Sequence, residues 1–286
     1  MKRTTQLATF LANNADAIVC ELTSVRGSSP REQGTFMLVG AAGLFGTIGG
    51  GALEYMVIDH ARRLIENGQS RDAMDVPLGP EIGQCCGGRV AVNLEYADTS
   101  CRERLTALVA AEDAALPHVY VFGAGHVGRA LAKMLDMLPV QVEVIDTRRE
   151  ELAGLPPHIK AQAVPMPEAV VRSAPQGSSY VIVTHDHALD FLIAREALAR
   201  ADSPYVGMVG SRTKRAKFAS WFRGEGGNAE ALERLILPIG EQGLGDKRPE
   251  VIAVLAAAEI MVHIRQREAD SARARAPVPL GVVIGR

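Results

Sequence analysis

The sequence predicts an α/β protein in which an N-terminal mixed α/β domain is followed by a Rossmann-like parallel-sheet domain. The chain has 286 residues, of which 47% are hydrophobic, and this is enough for about two domains. From residue 118 onward, short apolar runs alternate with helical segments, which is typical of a parallel sheet covered on both faces. A glycine-rich segment, GAGHVG, follows the first of these runs.

The domain boundaries follow from changes in composition along the chain. We expect residues 1–97 to form the first domain and residues 118–270 to form the Rossmann-like domain. A polar helical stretch at 98–117, closed by Pro117, is expected to link the two domains. Residues 271–286 are expected to form a flexible tail.

The elements of the first part alternate less regularly. A helix is expected at TQLATFLANN, a strand at the β-branched run AIVCELTSV and a loop at VRGSSPREQG. The segments TFMLVG and GLFGTI predict a hairpin. A helix with glycines at its start then covers GGGALEYMVIDHARRLIENG and ends at Gly68.

The second part predicts at least five short strands separated mostly by helices. The expected strands are VYVFG, VEVID, AQAV, YVIVTH and YVGMVG. The last helix is expected at RPEVIAVLAAAEIMVHIRQRE, with Pro249 near its first position.

Composition argues against several classes of function. The net charge is −2 and aromatic residues make up only 5%, so neither nucleic acid nor an anionic membrane surface is an expected partner. No apolar run approaches about 18 residues, the minimum for a membrane span, and the polar N-terminus is a poor secretory signal. Four cysteines in a chain of this length, two of them adjacent, do not form a disulfide framework, which favours a reducing cytoplasm.

The GAGHVG segment has the context of a dinucleotide-binding fingerprint. Gly123 is expected to make the tight turn, Gly125 to let a diphosphate approach, and Gly128 to pack helix against strand. His126 is expected to point toward any ligand, and Asp146, after the second strand, to accept from a ribose hydroxyl. Bound NAD(P) is a separate and weaker hypothesis, because the glycines also serve close packing alone.

Two further polar segments follow predicted strands, where open α/β sheets bind ligands. His185 lies in Thr-His-Asp-His, which indicates either a polar pocket rim and helix cap or, with a third ligand from elsewhere, a metal site. Ser211 and Arg212 begin a segment with three cations, which suits a phosphate but also a solvated basic helix face.

The first domain contains two candidate anion-binding segments. Ser28 and Arg31 lie in a loop that offers hydroxyl groups and a cation. Gly49, Gly50 and Gly51 begin a helix, where we expect free backbone N–H groups for an oxyanion. The alternative for the three glycines is a tight strand-to-helix turn.

The segment Gln84-Cys85-Cys86-Gly87-Gly88 is the most unusual in the chain. Adjacent cysteines do not readily bond to each other, and two cysteines do not make a structural zinc site. Buried, inert cysteines are one interpretation, but the flanking Gln and Gly residues favour an accessible loop.

These segments together resemble the XdhC/CoxI family, the accessory proteins of bacterial xanthine dehydrogenase and related molybdenum hydroxylases. The resemblance is carried, in order, by GSSPREQGTFMLV, GTIGGGALEYMVIDHARRL, LGPEIGQCCGGRVAVNLE, VFGAGHVGRALA, VTHDHALD, YVGMVGSRTKRAKF and LPIGEQGLGDKRPEVIAVLAA. It implies a chaperone that binds the molybdenum cofactor, holds it while a cysteine desulfurase supplies sulfur, and delivers it to the apo hydroxylase. It also implies a homodimer and assigns no catalytic residue.

The resemblance gives the candidate segments specific roles. A pterin phosphate is expected at the GTIGGG or GSRTKR segment, and Cys85 or Cys86 is expected to face the molybdenum. The competing hypothesis is an NAD(P)-dependent oxidoreductase that uses the GAGHVG fingerprint, with a nucleotide-sensing regulator last. No convincing acid–base set accompanies the fingerprint, so a cofactor chaperone without turnover is favoured over an enzyme.

Overall fold

The computed structural model describes residues 2–79, 87–240 and 245–275. The chain divides into two compact units, Met1–Ala115 and Leu116–Arg286. The first unit contains an antiparallel sheet with helices and the second a fully parallel sheet with helices, so the predicted fold class is confirmed.

The first unit is built on a five-stranded antiparallel sheet with the strand order β3-β2-β1-β5-β4. Side chains along β1 alternate between two cores because successive residues of a strand point to opposite faces. Ile18 and Cys20 pack with α2, whereas Ala17 and Val19 pack with α1 and α3. The elements are α1 Arg3–Asn13, β1 Ala17–Arg26, β2 Phe36–Gly40, β3 Leu44–Gly46, α2 Gly51–Glu66, β4 Arg71–Leu78, β5 Gly88–Tyr96 and α3 Thr99–Ala115.

Helix α3, which covers the stretch expected to link the domains, packs inside the first unit. Its buried residues Leu105, Val109 and Asp113 follow at intervals of four and therefore share one helix face. The apolar pair packs in the same core as α1, and Asp113 accepts hydrogen bonds from the backbone N–H (2.9 Å) and hydroxyl (2.6 Å) of Thr4. The boundary between the compact units lies after Ala115.

The second unit is built on a six-stranded sheet with the order β11-β10-β9-β6-β7-β8. The chain builds outward from β6 through β7 and β8, then returns to the other side of β6 with β9, so the topological switch point lies between β6 and β9. The elements are β6 His118–Phe122, α4 His126–Leu135, β7 Gln141–Asp146, α5 Arg149–Leu152, β8 Lys160–Ala163, α6 Pro167–Ser173, β9 Ser179–Ile182, α7 His187–Ala199, β10 Val206–Met208, α8 Arg212–Gly224, α9 Ala229–Glu233, β11 Leu235–Ile236 and α10 Pro249–Arg275.

Two cores cover the two faces of this sheet. Val119 and Val121 of β6 pack on the side of α4 and α10, whereas Tyr120 and Phe122 pack on the side of α6, α7 and α8. Helix α10 continues to Arg275, so the first part of the expected tail, 271–275, is helical. Residues 276–286 lie outside the described residues.

Candidate functional site

Three segments of the first unit meet at one place. Ser28, in the loop after β1, forms a β-bridge with Gly87, and a Cβ atom on Gly88 would lie 2.1 Å from the Ser28 carbonyl oxygen. A Cβ atom on Gly49, in the turn before α2, would lie 2.6 Å from Pro30 Cγ in the same loop. The Ser28–Arg31 loop therefore contacts both the glycine turn and the start of β5.

The cysteine pair belongs to the chain between β4 and β5. Gln84, Cys85 and Cys86 lie outside the described residues, so their predicted roles stay predictions. The strands on either side are paired: Leu78 is the partner of Gly88, and the Gly87 N–H donates to the Leu78 carbonyl at 2.8 Å. Since Cys86 is bonded to Gly87, the pair directly precedes, in sequence, the junction with Ser28.

The glycine turn before α2 is filled by a carboxylate of the same unit. Glu54 Oε2 accepts hydrogen bonds from the N–H groups of Ile48 (3.1 Å) and Gly50 (3.0 Å), and from the hydroxyl of Thr47. The N–H of Gly49 donates to Thr47 Oγ1 at 3.2 Å. The prediction of free N–H groups is therefore wrong for Gly49 and Gly50, whose N–H groups donate to Thr47 and Glu54.

Cationic groups remain available at the edge of this site. Arg26 and Arg31 are exposed, and neither forms an ion pair with a described residue. Arg89, the strand partner of Arg26, is instead bound to Asp75 at 2.6 Å. Arg31 is therefore the guanidinium of the Ser28–Arg31 loop that an anionic ligand group can engage.

The two described cysteines are poor candidates for thiolate chemistry. Burial raises the pKa of the Cys20 thiol to about 12, and burial also raises the pKa of Cys101 despite the nearby Arg104. A thiolate is the form that attacks sulfur or binds a metal, so both thiols are held in the inert form at neutral pH. The chemistry predicted for a cysteine rests on Cys85 and Cys86.

The fingerprint of the second unit has the geometry that its glycines predict. Gly123 has a φ of +112°, and a Cβ atom there would lie 2.4 Å from the Val183 carbonyl oxygen. A Cβ atom on Gly128 would lie 1.8 Å from the Gly123 carbonyl oxygen, which confirms its role in packing α4 against β6. A Cβ atom added to Gly125 would have no heavy atom within 4 Å, so this side of the turn is open.

The start of α4 offers backbone donors at the switch point. Its N-cap is Gly125, and no side chain caps the helix. By contrast, α7 is capped by Asp186 and α8 by Ser211, each accepting from a backbone N–H of its helix. His126 is exposed at the first position of α4, beside the opening of the turn.

Asp146 is already engaged within the protein. Its Oδ2 accepts from the Ala124 N–H at 2.7 Å, and its Oδ1 accepts from the N–H (3.0 Å) and Nε (3.1 Å) of Arg148. The side chain is almost fully buried, which by itself would raise its pKa, but the hydrogen bonds from Arg148 and Ala124 outweigh burial and hold the pKa below its usual range. The prediction that this carboxylate is available to a ribose is therefore wrong for the structure as it stands.

A buried ion pair holds together the segments that follow β9 and β10. Lys214 is bound to Asp190 and also donates to the Val209 carbonyl at 2.8 Å. Asp190 accepts in turn from the backbone N–H (3.1 Å) and hydroxyl (2.7 Å) of Thr184. His185, on this segment, is exposed.

This network changes the interpretation of the basic GSRTKR segment. Lys214 is buried in its ion pair, and Arg215 donates to the Leu235 carbonyl at 2.7 Å. Ser211 uses its hydroxyl as the N-cap of α8, whereas Arg212 is exposed. The prediction of three cations for a phosphate is wrong, because two of the three hold the fold.

The described residues contain neither a cluster of metal-binding side chains nor a membrane-spanning helix. Over residues 2–79, 87–240 and 245–275, no three His, Cys, Asp or Glu side chains are placed to hold a metal ion. In the same part of the chain, no helix has the length and apolar composition needed to cross a membrane.

The predicted site residues thus fall into two groups, one in each unit. The first contains Ser28, Arg31 and Gly49–Gly51, and the second contains the fingerprint, Asp146, His185, Ser211 and Arg212. Two residues that sequence reasoning did not assign prove central, namely Glu54 and Arg148. The signal for Arg148 was its position two residues after the acidic end of β7, where Rossmann-like domains place ribose-binding groups.

Comparisons with known proteins agree with both units. Residues 10–76 match the family described as "XdhC and CoxI family", and residues 119–260 match the "XdhC Rossmann domain". Among curated proteins, the chain is 26% identical over 272 residues to the "Uncharacterized protein YqeB" of Escherichia coli (strain K12). That alignment covers 90% of this chain but 45% of the relative, so the chain spans about half of that relative's length.

A solved structure has the same fold over nearly its whole length. It is the crystal structure of a protein described as a xanthine dehydrogenase from Bacillus halodurans, with a TM-score of 0.75 and 18% sequence identity. The superposition covers 97% of this chain and 98% of that chain. With family matches in each unit, in the expected order, the chain belongs to the XdhC/CoxI family.

Proposed function

We propose that this chain is an accessory protein of xanthine dehydrogenase maturation that binds the molybdenum cofactor in its first unit. It holds the cofactor while a cysteine desulfurase supplies the terminal sulfur, and then delivers it to the apo hydroxylase. The cofactor is cargo in this proposal, and the chain itself has no turnover. Family membership supports the accessory role.

One observation carries the placement of the cargo site. The Ser28–Arg31 loop, the Gly49–Gly51 turn and the Gly87–Gly88 start of β5 meet in the first unit, and the cysteine pair precedes Gly87 directly in the chain. These are the segments that distinguish the chain from a generic α/β protein. Their meeting supports a site in which the exposed Ser28 and Arg31 act together with the cysteine pair, which directly precedes Gly87 in the sequence.

The residues present fit the chemistry of molybdopterin in a specific way. Its terminal phosphate needs a cation and hydroxyl donors, which Arg31 and Ser28 supply. The glycine turn is poorly suited to that phosphate, because Glu54 accepts from the N–H groups of Ile48 and Gly50, and Thr47 accepts from that of Gly49. The glycines instead allow the close approach of the Pro30 loop, and Cys85 or Cys86 supplies a soft ligand for molybdenum or its sulfur.

The remaining parts of the proposal concern partners and place. We expect a homodimer that acts in the cytoplasm, where a reducing environment keeps Cys85 and Cys86 as thiols. If Cys85 or Cys86 faces solvent near Arg31, the guanidinium favours the thiolate form, which is the form that reacts with sulfur. The desulfurase and the client hydroxylase are expected to bind in turn rather than together.

The first experiment measures the cargo directly. The full chain is purified from molybdenum-replete cells, denatured and oxidised, and the released pterin is read by fluorescence alongside metal analysis. We expect pterin and molybdenum in equal amounts with the wild-type chain. With Cys85→Ala plus Cys86→Ala, we expect a loss of about tenfold or more in retained molybdenum, because the soft ligands are gone.

Cys101→Ala is the matched control, since this thiol is half-buried in α3 and is expected to have no role in the cargo site. Activation of apo hydroxylase by each variant gives a second readout. If the double variant retains molybdenum and activates the client like wild type, the cysteine assignment fails. If the wild-type chain releases no pterin, the cargo proposal itself fails.

A further inference from the structure

A basic loop at the end of β7 lies next to the glycine fingerprint of the second unit. It consists of Thr147, Arg148 and Arg149, directly after Asp146. β7 is the neighbour of β6 in the parallel sheet, with Phe122 opposite Ile145, so the loop and the fingerprint share the carboxyl edge of the sheet. Ligands of open α/β sheets bind at this edge, beside the switch point.

The position of Asp146 is the one that normally reads the ribose of a dinucleotide. In Rossmann-like domains an acidic residue here accepts from the 2′-hydroxyl of NAD, whereas an arginine nearby accommodates the 2′-phosphate of NADP. In this chain both oxygens of Asp146 are occupied by Ala124 and Arg148, and its side chain is only 3% exposed. The Asp146 carboxylate is therefore not free to accept a hydrogen bond from the 2′-hydroxyl of an unmodified ribose.

Arg148 is held in place, and its side chain remains partly exposed. It bonds to Asp146 through Nε and Nη2 and to Glu151 at 3.4 Å, yet its side chain is 31% exposed. Glu151 is itself fixed by Arg129 of α4 at 2.9 Å. The guanidinium is thus oriented before a ligand arrives, which lowers the entropic cost of binding an anion.

The neighbours of Arg148 add two more phosphate-binding groups. Thr147 and Arg149 are exposed, and Arg149 forms no ion pair with a described residue. Thr147 supplies a hydroxyl donor, and both arginines supply the paired donors that match a phosphate. At the same edge of the sheet, after β6, the open Gly125 and the uncapped start of α4 suit a diphosphate.

We infer that the second unit is a binding site for a dinucleotide that carries a phosphate on its ribose 2′ position, of the NADPH type, and that it discriminates against the NADH type through Arg148. All the residues assigned to this site lie in the second unit, and none of them belongs to the cargo site proposed for the first unit. The inference concerns binding, and it assigns no redox step to this chain. Asp146 acts here as a positioning residue that orients Arg148.

The test is a titration of the full chain with NADPH and, separately, with NADH, in which isothermal titration calorimetry measures the affinity for each. We expect wild type to bind NADPH about tenfold or more tightly than NADH, the ratio that one charge-assisted phosphate contact supplies. The fragment 2′,5′-ADP is expected to compete with NADPH, whereas 5′-AMP is expected to compete at least about tenfold more weakly. Equal affinities for NADPH and NADH, or binding of neither, would overturn the inference.

Two variants assign the discrimination to Arg148. Arg148→Ala is expected to reduce the NADPH-to-NADH ratio to about one, since the phosphate contact is lost. Arg223→Ala, which removes an exposed arginine on α8, is the control and is expected to keep the wild-type ratio. If Arg148→Ala does not fold, Arg148→Lys, which keeps the charge but not the fork, is expected to lower the ratio by a smaller factor. An unchanged ratio in a folded Arg148 variant would refute the role of this residue.

Discussion

Glu54 and Asp146 each accept hydrogen bonds from the backbone of the glycine motif beside them. Glu54 binds the N–H groups of Ile48 and Gly50, and Asp146 binds the N–H of Ala124. A carboxylate in such a position takes donors that a ligand anion would otherwise use. In the two proposed sites, the contact with an anionic ligand is therefore expected from nearby guanidinium groups, namely Arg31 in one unit and Arg148 in the other.

The buried pair of Lys214 and Asp190 allows a direct test of the structure at the level of one residue. Lys214 is 7% exposed and Asp190 is fully buried, so removing one charge leaves the other without compensation. We expect Lys214→Met to lower the free energy of unfolding of the second unit by about 3–5 kcal/mol. The measurement is urea unfolding followed by the fluorescence of Trp221, the single tryptophan of the chain.

Lys217→Met is the matched control for this prediction. Lys217 lies one turn further along α8, is exposed and forms no ion pair with a described residue. Its substitution is expected to change the free energy of unfolding by less than about 0.5 kcal/mol. Equal effects of the two substitutions would show that the Lys214–Asp190 pair does not stabilise the unit.

At the scale of elements, the contact between β6 and α4 depends on two glycines with different roles. A Cβ atom on Gly128 would lie 1.8 Å from the Gly123 carbonyl oxygen, whereas one on Gly125 would meet no heavy atom within 4 Å. We expect Gly128→Ala to destabilise the second unit by about 1–3 kcal/mol or more, because α4 must move away from β6. The Trp221 unfolding curve measures this loss.

Gly125→Ala separates ligand approach from packing. Gly125 has a φ of −68°, which alanine also adopts. The free energy of unfolding of the variant is therefore expected to stay within about 1 kcal/mol of the wild-type value. The added methyl group points into the open space where a diphosphate would lie, and NADPH affinity is expected to fall about tenfold. A stable Gly125→Ala variant with unchanged NADPH affinity would remove the fingerprint from the binding site.

Most elements of the second unit could be predicted because β6, β9 and β10 are short apolar runs that are almost entirely buried. Strand β4 was not predicted, since only Val76 and Leu78 of its eight residues are buried and its exposed residues read as a loop. Helix α3 was recognised as a helix, but its packing was not predicted, because its polar composition hides the face that carries Leu105 and Val109.

The roles of Gly123 and Gly128 followed from the motif. The hydrogen bonds from the two glycine motifs to Glu54 and Asp146 could not be predicted from the motif, because they form only in the folded chain.

At the scale of the whole molecule, each compact unit has its own cores. In the first unit one core lies between α2 and the sheet and the other between the sheet and α1 with α3. In the second unit the two cores cover opposite faces of the parallel sheet. A unit that buries its own apolar residues meets the main requirement for independent folding.

We therefore expect the fragment Leu116–Arg286 to fold without the first unit. Trp221 lies in this fragment and packs against Phe191 and Phe218, so its fluorescence reports on the second unit in both the fragment and the full chain. The fragment should unfold in urea in one cooperative transition, with a free energy of unfolding in the range of about 5–15 kcal/mol that is usual for a domain.

The fragment should also keep the preference for NADPH over NADH, because every residue assigned to that preference lies within it. A fragment without a cooperative transition would show that the second unit needs the first to fold. A folded fragment without the preference would show that the first unit contributes to the dinucleotide site.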